Sequence, residues 1–187
     1  MSKLLTMVFL GLGFIGYVVY LFVNTSLNGV VPADHIGWFV FDVLIFGAII
    51  VGSWVKKANP IVIPCILVLV VVNLAVNSID HLADFARLND PDYGLFYWWH
   101  SLKAVTCFLA LIAFLLTYLL PKQAKILNLI GIVLLFVSGL SFMAAAIFCF
   151  AKSGVASGIW YSSLFLIWLG LVFCSLYVQN ERQPKAA

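Results

Sequence analysis

Histidine and carboxylate side chains hold metals and move protons, and in this chain they gather. His35, His81 and His100, with Asp34, Asp80 and Asp84 close by in sequence, fall at the ends of long apolar runs. Imidazole with carboxylate suits zinc or copper, so His35, His81 and His100 form one candidate metal set. No H-x-x-x-H or H-E-x-x-H motif places two ligands on one helical face, so a zinc or copper site requires convergence in three dimensions. The plainer reading is interfacial histidines in ordinary hydrogen bonds. A third is pH sensing, because histidine titrates near neutrality.

A second pattern is a stripe. Asn73, Asn77, Asp80, Asp84 and Arg87 recur at spacings of 4, 3, 4 and 3, which is one face of a continuous helix. Asparagine at membrane depth must bond to another helix or to water in a cavity. Asp42 and Lys103 are an acid and a base within apolar runs; at 1.5 Å per residue both lie about 9 Å below the outer surface. Asp42, Asn73, Asn77 and Lys103 therefore outline a polar vestibule, and Asp80, His81, Asp84, Arg87 and His100 an outer binding surface. The competing readings are asparagines that join two helices, an Asp42–Lys103 ion pair that locks the bundle, and a Lys103 that reaches up to the outer surface.

These residues must be positioned by helices in lipid. The chain has 187 residues, of which 65% are hydrophobic and 9% charged, with a mean hydropathy of +1.15, too little polar surface for a soluble globule. A span needs about 20 apolar residues, and six stretches answer: about 4–23, 36–55, 61–79, 97–120, 126–150 and 158–178. The expected fold is an all-α integral membrane protein, a single transmembrane domain over 1–187 built as a six-helix bundle of three in-out-in hairpins. Turn signals at Asn28-Gly29, Asn89-Asp90-Pro91-Asp92 with Gly94, and Ser153-Gly154 mark the outer connections, and Asn59-Pro60 and Pro121 the inner ones.

Of the ten lysines and arginines, Lys3, Lys56, Lys57, Lys122, Lys125, Arg182 and Lys185 share one side in this topology, and Arg87, Lys103 and Lys152 the other. The positive-inside rule then makes both termini cytoplasmic, and a bacterial inner (plasma) membrane is the expected location. The first run is read as a retained helix, because it is long for a signal peptide and no A-x-A-like site follows it. The net charge of +3 is a topology signal and gives no support to nucleic-acid binding.

Several motifs read as packing. GLGFIG over Gly11, Gly13 and Gly16 matches the dinucleotide fingerprint in form, but lies inside an apolar span where glycine admits a neighbouring helix. Ala48 with Gly52, Gly158 with Ser162, and Gly131, Ser138, Ser141 and Ala145 are similar small-residue contacts. Cys65, Cys107, Cys149 and Cys174 stand singly on four spans and read as small buried hydrophobes. Tyr93, Phe96, Tyr97, Trp98 and Trp99 read as an aromatic belt, with partner docking as the alternative.

No catalytic motif emerges, so an enzyme is not the expectation and no cofactor is called for beyond the zinc or copper alternative. The leading expectation is a non-enzymatic multi-pass membrane subunit that senses or binds through its outer (periplasmic or extracellular) face. It would assemble as a homo-oligomer or within a larger membrane complex. Alternatives are a small-solute or ion transporter or channel using the vestibule, a membrane-interface metal-dependent enzyme, and an anchor for a cytoplasmic partner.

Overall fold

The computed structural model describes residues 2–29, 36, 37, 40, 43, 44, 47, 91–152 and 154–182. Four long helices make up this part: α1 (Ser2–Asn28), α2 (Pro91–Leu119), α3 (Ala124–Lys152) and α4 (Val155–Arg182). Three apolar stretches, Lys3–Asn28, Pro121–Lys152 and Val155–Tyr177, are long enough to cross a membrane, and α2 adds the shorter stretch Val105–Leu119. The described residues are therefore all-α and of membrane-spanning character. Most of the second span and all of the third lie outside the described residues.

Each helix starts before the apolar stretch read from the sequence, and all but α2 also end beyond it; local chemistry sets the ends. Gly29, at φ +76°, ends α1 in the left-handed conformation, its N–H donating to the Thr25 carbonyl at 2.9 Å. Gly154, at φ +108°, does the same after α3, donating to the Cys149 carbonyl at 2.9 Å. Between α2 and α3, Leu120 leaves the helical region and Pro121–Gln123 forms one 3-10 turn, since proline cannot continue α2 but can start a helix. The polar run Asn89 to Gly94, expected as an open turn, already contains the start of α2 at Pro91. Proline at a first helical position has its φ preset for the helix.

The helices stand in the order α1, α4, α3, α2, each packed on the next. Contacts along each seam run antiparallel. Lys3 meets Tyr177, Phe9 stacks on Phe173, and Tyr20 meets Trp160, so residue numbers rise along α1 as they fall along α4. Gly139 and Gly158 set α4 against α3 in the same sense, and Gly131 against Phe114 sets α3 against α2. The start of α1, the Pro121 turn and the end of α4 consequently share one end of the bundle, the basic end. Gly29, Pro91 and Gly154 share the other, the distal end.

Glycine makes the α1–α4 seam close. A Cβ at Gly13 would lie 2.6 Å from Ile167, and one at Gly170 would lie 2.6 Å from Leu10. Gly16 faces Ser163 in the same way, whereas Gly11 faces open space. Of the three glycines in GLGFIG, two pack and one does not. The buried core joins Leu10, Cys107, Leu111, Leu135, Phe142 and Trp168. On the outer side of α3, Leu129, Val133, Phe136, Met143, Ile147 and Phe150 are exposed, an apolar stripe far too large for a protein in water and natural against lipid.

Candidate functional site

Lys103 is the one charged side chain buried among the described residues, at 5% exposure. It lies twelve residues into α2 and faces Phe142, ten residues before the end of α3, roughly 15–18 Å from those helix ends along the axis. Its Nζ stands 4.5 Å from the centre of the Phe142 ring, a cation–π contact that in a dry setting contributes about 2 kcal/mol. The alternative of a lysine reaching up to the surface is thereby corrected: the side chain is held inside, against α3.

The backbone at this point is tied down as well. The Lys103 carbonyl accepts from the Ser138 hydroxyl of α3 at 3.3 Å and from the Thr106 hydroxyl at 3.2 Å, and Thr106 also reaches the Leu102 carbonyl at 2.7 Å. Ser138 is fully buried and Thr106 nearly so. Small hydroxyl residues let the two helices approach and return their own polar atoms to backbone carbonyls. Ser141 and Ser163 do this within their own helices, donating to Val137 and Ile159.

A second buried layer lies behind the lysine. The Phe142 ring meets Trp168 of α4 at 5.2 Å, and the Trp168 indole N–H donates to the Leu135 carbonyl of α3 at 2.9 Å. Gly139 makes room, since a Cβ there would lie 3.0 Å from Trp168. Lys103, Phe142 and Trp168 thus connect α2, α3 and α4 in one line. Towards the distal end, Tyr17 and Tyr20 of α1 and Trp160 of α4 pack ring against ring at 4.7–5.9 Å, with Asn24 buried beyond them and accepting from Asn28 at 2.7 Å.

Of the residues singled out in sequence, the structure places Lys103 in this buried line. Asp42, Asn73, Asn77, Asp80, His81, Asp84, Arg87 and His35 lie outside the described residues, and for His100 the backbone alone is described, in α2 nine residues after its start. Cys107, Cys149 and Cys174 are buried and form no disulfide among the described residues, and Gly131, Ser138, Ser141 and Ala145 are all buried on α3, in keeping with their reading as packing residues. Phe142, Trp168 and Thr106 escaped the sequence reading. Trp168 carried a usable signal: it stands in mid-span, away from any rim, where an indole N–H must find a partner.

No protein-family model, curated protein or solved structure matches the chain.

Proposed function

We propose that the protein is a non-enzymatic membrane subunit that binds its ligand or partner through the distal end of the bundle, taken as the outer face of a bacterial inner membrane. Asp80, His81, Asp84, Arg87 and His100 would supply the rim, and Lys103 with Asp42, Asn73 and Asn77 the polar floor beneath it. The observation that carries this reading is the burial of Lys103. An ammonium inside a span costs several kcal/mol unless it is compensated, and such groups usually mark a site of function.

The compensating charge is assigned to Asp42, the one acid that the sequence puts within a span. Ile36, Gly37, Val40, Val43, Leu44 and Gly47 are helical and exposed, a stripe that suits lipid. On a continuous helix at about 100° per residue, Asp42 would take the opposite face, the one that suits the bundle. In this reading both termini are cytoplasmic, the polypeptide crosses six times, and copies assemble with one another or with other membrane subunits.

The test replaces Asp80 and Asp84 with Asn and His81 with Gln together, in a strain complemented for loss of the gene. Complementation should fail while expression, insertion and oligomeric state are retained. Full complementation by this triple variant, combined with failure when Lys56, Lys57, Lys122 and Lys125 are neutralised, would make the protein an anchor for a cytoplasmic partner. The buried lysine also favours a second reading, a transporter or channel for small anions or other solutes. Flux in proteoliposomes that disappears in Lys103→Met would select it.

A further inference from the structure

The basic end of the bundle collects positive charge from three separate parts of the chain. Lys3 of α1 stands level with Tyr177 of α4, its Nζ 5.9 Å from the ring centre. Arg182 closes the last turn of α4. Lys122 lies in the 3-10 turn and Lys125 in the first turn of α3, both exposed. Continuing the register of Gly139 and Gly158 along the α3–α4 seam brings Lys125 level with the last turns of α4. Lys3, Lys125 and Arg182 then fall within roughly 9 Å of one another along the bundle axis, on three adjacent helices, and Lys122 lies about one turn farther out. Glu181 is the one acid among the described residues at this end.

Two tyrosines mark the level. Tyr177 lies beneath Lys3, and Tyr118, half exposed, stands on α2 alongside the first turns of α3. Tyrosine with an apolar body and a polar tip sits where hydrocarbon meets headgroups. Lysines at or just beyond such a level stand among the lipid phosphates.

We infer that this end is a binding surface for anionic phospholipid headgroups, with Lys122 and Lys125 as its exposed contacts and Lys3 and Arg182 beside them. Each basic side chain at a headgroup layer contributes on the order of fivefold in affinity for an anionic lipid, and the effect is screened by salt. The surface is independent of the distal face and does not depend on what that face binds.

The test uses the full-length protein in nanodiscs of phosphatidylcholine mixed with phosphatidylglycerol, released into mild detergent and weighed by native mass spectrometry. The wild type should retain phosphatidylglycerol above its bulk fraction. The pair Lys122→Gln and Lys125→Gln should lower that enrichment by roughly 25-fold at low salt, and Lys152→Gln, at the distal end, should leave it unchanged. Both substituted lysines are exposed, so folding is not at stake, and an unchanged melting temperature checks this. Equal retention of the two lipids by the wild type, or an equal loss in Lys152→Gln, would overturn the inference. A wild type indifferent to phosphatidylglycerol that loses a co-purifying acidic protein in the lysine pair variant would overturn it too, and would assign the surface to that protein.

Discussion

A buried lysine tolerates few neighbours, and the arrangement around Lys103 makes specific demands on them. If Asp42 is its counter-charge, Lys103→Met and Asp42→Asn should each destabilise the protein in detergent by about 3–5 kcal/mol, because each strands the other charge. The double variant should recover most of that loss; a purely additive double would dismiss the pair. Trp168 offers a milder test. Trp168→Phe removes the N–H bond to the Leu135 carbonyl but keeps most of the aromatic contact with Phe142, so a loss of about 1 kcal/mol is expected by thermal unfolding. The loss should stay small because the carbonyl left behind remains within a helix.

Helices here are joined by seams whose tightness differs from position to position along the same motif. Gly13 and Gly170 have no room for a Cβ, while Gly11, two residues away on α1, faces open space. Gly13→Val or Gly170→Val should therefore cost about 1–3 kcal/mol through overpacking, and Gly11→Ala should be neutral or slightly stabilising because alanine is the better helix former and its Cβ would meet nothing there. A melting-temperature series in detergent decides this. Equal sensitivity at all three positions would mean that the α1–α4 seam is misassigned. Gly131, under the Phe114 ring, extends the argument to α2 and α3, where substitution should damage assembly before it affects the distal face.

The antiparallel row gives the whole molecule a polarity that labelling can read. Cysteine labelling in intact cells should reach residues 24–35, 82–95 and 152–157 from outside and leave both termini protected. Reaction of an external reagent at position 57 or 122 would dismiss the six-crossing topology. The same polarity separates two surfaces: the basic end at the Pro121 turn, proposed to meet anionic lipid, and the distal end, to which the proposed function assigns the acids and histidines read from the sequence. Loss of activity without loss of anionic-lipid retention, produced by the Asp80, His81 and Asp84 triple variant, would show that the two ends work independently.

Helix class, membrane character and the main breaks were legible in the sequence because they depend on local chemistry: apolar run length, Pro121, Gly29 and Gly154. The charge asymmetry of Lys3, Lys122, Lys125 and Arg182 was legible for the same reason, since it needs only the order of the spans. Contact was not. That α1 pairs with α4, the last helix, and that Gly13 packs while Gly11 does not, depend on which faces meet across more than a hundred residues of chain. Lys103 shows the division most clearly. Its position within an apolar run declared it unusual, but nothing in its neighbours along the chain distinguishes a lysine reaching for water from one held beneath Phe142. Lateral packing of α3 on α2 decided that, through Ser138 at the seam and a ring supplied from thirty-nine residues away.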